Sequence, residues 1–155
     1  MATFTSTVYQ NEFLPDGGTD VNAIVRLGVS GAGRAGASGK APGEIIIVDT
    51  SGSMGQINMA AAKNAAMTAI DTIADGTYFA VVAGTHEAYL AYPMVRTGRG
   101  MVEMNARTRS EAKQAISWFN ADGGTAIGQW LTLARMLFAS MGDALGNKHA
   151  LLLTD

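Results

Sequence analysis

Three oxygen-bearing side chains follow an apolar run near the end of the first third of the chain. Asp49, Ser51 and Ser53 stand at alternate positions directly after residues 45–48. Such a run is typical of a buried parallel strand, whose carboxyl end opens into the crevice where open α/β sheets bind ligands. Mg²⁺ and similar hard cations take oxygen ligands in a near-octahedral shell. The segment therefore predicts part of a hard-cation site at the end of a strand.

Two residues further along the chain can supply more oxygen ligands. Thr125 follows two glycines at the predicted start of a helix, and Asp155 follows a second apolar strand predicted over residues 149–154. The predicted set of metal ligands is therefore Asp49, Ser51, Ser53, Thr125 and Asp155.

The five residues resemble the metal-ion-dependent adhesion site (MIDAS) of the von Willebrand factor type A (VWA) domain. That pattern is Asp-x-Ser-x-Ser, then a Thr in a Gly-Gly-Thr-like loop, then an Asp that ends a later strand. All five positions match in order, and the resemblance covers residues 44–155. The N-terminal segment looks like that of bacterial intracellular members.

The resemblance implies a protein-binding module rather than an enzyme. A divalent cation, Mg²⁺ or else Mn²⁺ or Ca²⁺, would capture an Asp or Glu carboxylate of a partner protein. Ser51 and Ser53 would coordinate it directly. By the same resemblance, Thr125 binds the metal directly when a ligand is engaged, Asp155 acts mainly through water, and the Gly-Gly-Thr loop shifts between two states.

Strand and helix patterns alternate around these residues. They predict a Rossmann-like three-layer α/β/α fold, with a mostly parallel central sheet and one antiparallel edge strand. Residues 1–43 are expected to form an N-terminal strand, over 21–29, and a Gly/Ala-rich linker, and residues 44–155 a VWA domain. Other predicted elements are a helix over 58–74 with Ile57 on its packed face, strands over 78–83 and 88–92, a helix capped by Thr108, and a helix over 125–141.

Composition excludes several classes of protein. The 155 residues are 48% hydrophobic and 15% charged, which suits one α/β core. The absence of cysteine excludes disulfides and thiolate zinc sites. The net charge of −2 gives no electrostatic footprint for nucleic acid. No leader-like segment or membrane-spanning run is present, so we expect a cytoplasmic protein without a membrane partner.

Other interpretations compete with the metal site. Residues 49–53 alone could form a turn and a helix cap. Asp49 could be the nucleophile of a Mg²⁺-dependent phosphoaspartyl transferase, but Ser51 stands where such enzymes usually carry a second Asp. The fold could also serve as a metal-independent assembly scaffold, through residues 89–94 or an arginine-rich loop. Residues 31–36 satisfy Gly-x-Gly-x-x-Gly, but residues 37–43 cannot sustain the helix that a dinucleotide site needs.

The histidines and four arginines of the chain are not assigned to the metal site. We expect His86 and His149 to be structural or solvated, and Arg96, Arg99, Arg107 and Arg109 to form a solvated face.

A complete VWA domain would continue beyond Asp155 through a loop, further strands and at least one helix. The C-terminal part of the domain is therefore expected to be missing, and another chain could complete the truncated sheet.

Overall fold

An antiparallel hairpin makes up the described part of the N-terminal unit. The computed structural model describes residues 3–10, 23–30, 39–94 and 100–155, and the chain divides into two compact units, Met1–Ser38 and Gly39–Asp155. In the first unit, β1 (Thr3–Gln10) pairs with β2 (Ala23–Ser30), with Thr3 opposite Ser30 and Gln10 opposite Ala23. The sequence predicted β2 but missed β1. The Gly-x-Gly-x-x-Gly segment at 31–36 lies outside the described residues.

A five-stranded mixed sheet organises the second unit. Its main order is β5-β4-β3-β7, with β3 (Ala41–Asp49), β4 (Tyr78–Gly84) and β7 (Leu145–Leu153) parallel. β5 (Ala88–Tyr92) returns antiparallel beside β4, as predicted, and a two-residue β6 (Val102–Glu103) continues that edge. The mostly parallel sheet with an antiparallel edge strand is confirmed.

Alternate residues of β3 face two separate cores, because successive side chains of a strand point to opposite faces. Ile46 and Val48 join one core with α1 (Gly55–Thr72) and α2 (Ala106–Ser117). Ile45 and Ile47 join the other with α3 (Ile127–Ser140). Since helices cover both faces, the three-layer α/β/α fold is also confirmed.

The packed face of α1 differs from the prediction. Its buried residues are Met59, Ala62, Ala66 and Ile70, which recur every three or four positions. Ile57 lies off this stripe and is 86% exposed, so its assignment to the core was wrong. The alanine-rich sequence is compatible with more than one helical stripe, and α1 follows directly on a short 3-10 turn at Gly52–Met54.

The start of α2 is also displaced from the prediction. Asn105 caps the helix: its side-chain oxygen accepts hydrogen bonds from the backbone N–H groups of Arg107 and Thr108, at 3.0 and 3.1 Å. The Thr108 hydroxyl reciprocates by accepting from the Asn105 N–H at 2.9 Å. The predicted capping box at Thr108 was therefore wrong by three residues.

The expectation of a solvated arginine face also fails at Arg109. Its guanidinium donates to the carbonyl oxygens of Ile70 and Ile73 and pairs with Asp75, which ties α2 to the end of α1. Arg107 is exposed, as expected, and pairs with Glu111 at 2.7 Å. Arg96 and Arg99 lie outside the described residues.

A hydrogen-bonded network joins α2 to β5. The Tyr92 hydroxyl donates to Glu111 at 2.8 Å, and Arg107 donates to the other oxygen of that carboxylate. These two donors hold the pKa of Glu111 below its ordinary value, the Arg107 bond contributing more. Burial and the neighbouring carboxylate raise the pKa of Tyr92.

None of the helices in the described part of the chain combines the length and the apolar character that a membrane span requires.

Candidate metal centre

The parallel register brings the ends of β3 and β7 together. Val48 lies opposite Leu153, so Asp49, the last residue of β3, is beside the segment that leaves β7. Thr154 and Asp155 follow directly. Two parts of the chain that are far apart in sequence thus meet at the carboxyl edge of the sheet, where open α/β sheets bind ligands.

Asp49 is fully buried, and the protein itself satisfies both of its oxygens. Oδ1 accepts the backbone N–H of Ser51 at 2.8 Å, and Oδ2 accepts the hydroxyl of Thr154 at 2.7 Å. Burial of a carboxylate is costly unless hydrogen bonds or opposite charge compensate it. These two hydrogen bonds also fix the orientation of the carboxylate.

Ser51, Ser53 and Asp155 form a chain of oxygens that leads from this buried carboxylate to solvent. The hydroxyls of Ser51 and Ser53 are 3.0 Å apart, and the Ser53 hydroxyl donates to Asp155 Oδ1 at 3.4 Å. Ser51 is buried, whereas Ser53 and Asp155 are exposed. Hydrogen bonds therefore connect Ser51, Ser53 and Asp155, while Ser51 also contacts Asp49 through its backbone.

Thr125 reaches the same edge through its loop. Three backbone hydrogen bonds of 2.8–2.9 Å hold this loop. The N–H groups of Asp122 and Ala126 donate to the carbonyl oxygens of Thr50 and Thr85. The carbonyl oxygen of Gly123 accepts from the Gly52 N–H. Thr125 itself is exposed, and no hydrogen bond among the described residues joins its side chain to the other four. It precedes α3, which begins at Ile127, so its predicted place inside the helix was wrong by two residues.

The glycine at position 123 permits this loop to lie against the β4–β5 turn. Its φ of +76° is in the left-handed region that favours glycine, and an added Cβ would come within 2.8 Å of the His86 ring. His86 therefore packs beside the predicted metal loop, a position that its sequence context did not reveal.

Thr154 is the functional side chain that the sequence analysis missed. Its hydroxyl orients Asp49, although the sequence shows only a threonine between an apolar strand and an acid. The pairing register of β3 with β7, which fixes this contact, is not readable from the motif alone.

The spacing of the two serine hydroxyls is compatible with a hard cation. Adjacent ligands of an octahedral ion with metal–oxygen bonds near 2.0–2.1 Å lie about 2.9 Å apart. The serine hydroxyls are 3.0 Å apart in a hydrogen bond, and this distance is also compatible with that separation. Within residues 3–10, 23–30, 39–94 and 100–155, no group of three or more His, Cys, Asp or Glu side chains could hold a metal. A cation at this edge therefore depends on hydroxyl oxygens as well as carboxylates.

Comparison with known families agrees with this architecture. A model of the von Willebrand factor type A domain matches residues 45–155, which include the last five residues of β3, all of β7 and all five predicted ligands. The chain belongs to the VWA domain family. VWA domains are generally protein-interaction modules rather than enzymes. No curated protein matches the chain.

Solved structures extend the comparison. The VWA domain is similar to a von Willebrand factor type A protein from Catenulispora acidiphila, with 40% identity and a TM-score of 0.66. That match covers 95% of this chain and 32% of the other. The type V pili tip protein Mfa5 from Porphyromonas gingivalis shares the fold at 17% identity and a TM-score of 0.56, over 97% of this chain and 26% of that one.

A third structure shows a metal in this fold. Proximal thread matrix protein 1 from the mussel byssus, with a zinc-occupied MIDAS motif, matches at 22% identity and a TM-score of 0.52, over 73% of this chain and 29% of that one. In each of these three matches, the chain spans about a third or less of the other protein's length.

Proposed function

We propose that this VWA domain is a metal-dependent protein-binding module. A divalent cation at Asp49, Ser51, Ser53, Thr125 and Asp155 would accept one carboxylate from an Asp or Glu of a partner protein. The observation that carries the proposal is the hydrogen-bonded cluster at the end of β3, in which the Ser53 hydroxyl bonds both Ser51, at 3.0 Å, and Asp155, while the buried Asp49 accepts from the Ser51 N–H.

The charge of the ligand set supports a further carboxylate ligand. Asp49 and Asp155 together balance a divalent charge, while the hydroxyls are neutral ligands. A cation held mainly by neutral oxygens on its exposed side remains electrophilic toward an incoming carboxylate. Since the donors are all oxygens, Mg²⁺, Mn²⁺ and Ca²⁺ are the expected ions, although zinc occupies the motif in the mussel protein.

The buried carboxylate of Asp49 would contribute negative charge to the proposed site. The hydrogen bonds from Ser51 N–H and the Thr154 hydroxyl hold the Asp49 carboxylate in one orientation, so its negative charge would contribute to cation binding from a buried position. Ser51 and Ser53 need no large movement to present their oxygens together. Hydrogen bonds of the backbone and of the Asp122 side chain hold the loop of residues 122–126, and the Thr125 hydroxyl would be available for a metal.

Titration of Mn²⁺ tests the proposed metal site, with free Mn²⁺ followed by electron paramagnetic resonance and Mg²⁺ added as competitor. We expect saturable binding at one site and a loss of at least about tenfold in affinity in Asp49→Asn. Asparagine keeps the size of the side chain and can still accept from Ser51 N–H, so circular dichroism should show an unchanged fold.

Asp143→Asn is the matched control, because Asp143 is an exposed carboxylate that pairs at 3.7 Å with Lys40. It should bind Mn²⁺ as the wild type does. Equal affinity in Asp49→Asn and wild type, or no saturable binding in either, would contradict the proposal.

A further inference from the structure

Two successive carbonyl groups at the end of β4 accept hydrogen bonds from both segments that carry most of the predicted metal ligands. The Gly84 carbonyl accepts the backbone N–H and the hydroxyl of Thr50, at 2.8 and 3.1 Å, and Thr50 lies within the segment 49–53. The Thr85 carbonyl accepts the backbone N–H of Ala126 at 2.9 Å. Ala126 directly follows the threonine of the Gly-Gly-Thr loop. The end of β4 therefore connects the two ligand segments to one another.

A buried tryptophan donates a second hydrogen bond to the Thr85 carbonyl. The indole N–H of Trp130 reaches this oxygen at 2.8 Å, and the side chain is fully buried. Its ring lies so close to β4 that a Cβ at Gly84 would be 2.3 Å from it. Trp130 is in the first turn of α3, and Ala126 directly precedes that helix. The two hydrogen bonds to one oxygen therefore hold the start of α3 against the end of β4.

The position of Thr125 depends on this contact because the chain before it is permissive. The hydrogen-bonded carbonyl of Gly123 lies two residues before Thr125, and Gly124, which adopts a wide range of backbone angles, separates them. On the other side, the next residue is Ala126, whose acceptor is shared with Trp130. The start of α3 is therefore the nearer and stiffer support of Thr125.

We infer that Trp130 is a positioning residue of the proposed metal centre. Its indole N–H fixes the start of α3 and thereby the place of Thr125 relative to the segment 49–53. The inference rests on the proposed metal-dependent function and adds a residue, outside the five predicted ligands, on which their arrangement depends. A tryptophan buried for packing alone would also find an acceptor for its N–H. The two roles differ in whether loss of the N–H changes cation binding through Thr125.

A double-mutant cycle with Mn²⁺ titration separates these roles. Trp130→Phe removes the N–H and keeps an aromatic ring, and Thr125→Ala removes the predicted ligand. Each single variant should bind Mn²⁺ about tenfold more weakly than wild type, the lower end of the effect of losing a group that supports a ligand. The double variant should bind no more weakly than Thr125→Ala alone, because residues that act as a unit are not additive.

A second variant keeps the packing of the ring and removes only the donor. Benzothienylalanine incorporated at position 130 has a sulfur atom in place of the indole N–H, so the core around it stays filled. It should weaken Mn²⁺ binding as Trp130→Phe does. Ile116→Val is the matched control, since Ile116 is fully buried in the core on the other face of the sheet. It should keep the Mn²⁺ affinity of the wild type.

Hydrogen exchange tests the same contact without a metal. The Ala126 N–H should exchange at least about tenfold faster in Trp130→Phe than in wild type or Ile116→Val, because the start of α3 opens locally more often.

Wild-type Mn²⁺ affinity in both position 130 variants, or losses that multiply in the double variant, would overturn the inference and leave the proposed function intact. Equal exchange of the Ala126 N–H in Trp130→Phe and wild type would also overturn it. No saturable Mn²⁺ binding by the wild type would overturn the proposed function and the inference together.

Discussion

At the scale of single residues, the affinity of the proposed site for a cation depends on the orientation of the Asp49 carboxylate. The motif identifies Asp49 as a carboxylate at a strand end, but it does not show that a hydroxyl from the segment after β7 donates to its second oxygen. Thr154 supplies that hydroxyl at 2.7 Å. The position of Asp49 at a strand end could thus be predicted from the sequence. Its contact with Thr154 could not, because that contact depends on the pairing register of two strands about a hundred residues apart.

We predict that Thr154→Val weakens Mn²⁺ binding about tenfold, which is the lower end of the effect of removing a partner that orients a ligand. Valine preserves the shape of the side chain but leaves Asp49 Oδ2 without its donor. The measurement is the same Mn²⁺ titration. Thr132→Val is the control, because its hydroxyl donates to Gly128 within α3, away from the carboxylate. Unchanged affinity in Thr154→Val would show that Asp49 needs no such support.

At the scale of elements, the kinds of helix and strand followed from periodicity, but the faces and ends of the helices did not. Alanine occupies so much of α1 that two stripes fit the pattern, and Ile57 belongs to the one that faces solvent. Asn105 begins α2 earlier than the Thr108 pattern suggests. Such choices are made by packing against the sheet, since most helical stability comes from tertiary contacts.

The contact of α3 with β4 depends on a glycine. A Cβ at Gly84 would lie 2.3 Å from the ring of Trp130, whose indole N–H donates to the Thr85 carbonyl at 2.8 Å. We predict that Gly84→Ala lowers the free energy of unfolding by about 1–3 kcal/mol, because the buried ring must be displaced. Urea denaturation measures this change.

Gly128→Ala serves as the counterpart within α3. A Cβ there meets nothing within 4 Å, so alanine should leave stability unchanged or raise it by up to about 1 kcal/mol. If both variants unfold at the same urea concentration, the close approach of Trp130 to β4 is not a determinant of stability.

At the scale of the whole molecule, the ligands belong to both ends of the VWA unit. The fold class and the mostly parallel sheet could be predicted from the sequence, because strand and helix patterns alternate along the chain, whereas the five candidate ligands stay a prediction. The hairpin strand β1 was missed, and the placement of the loop that carries Thr125 depends on backbone bonds to Thr50, Gly52 and Thr85 that no motif encodes.

We predict that Mn²⁺ raises the melting temperature of the protein. An ion that binds only the folded state stabilises it by about 2.7 kcal/mol at a hundred times its dissociation constant, which corresponds to a shift on the order of 5–15 °C for a unit of this size. Differential scanning calorimetry with increasing Mn²⁺ measures the shift. Asp49→Asn should show little or none, and an equal shift in both proteins would place the stabilising ion elsewhere.

The hydrogen bond from Ser53 to Asp155 joins residues that lie 102 positions apart in the chain. A ribosome that adds about 5–20 residues per second reaches Asp155 roughly 5–20 s after Asp49. During that interval the nascent chain carries Asp49, Ser51 and Ser53 without Asp155. The hydrogen bond from Ser53 to Asp155 and the full set of five predicted ligands can therefore form only after the last of these residues has been synthesised.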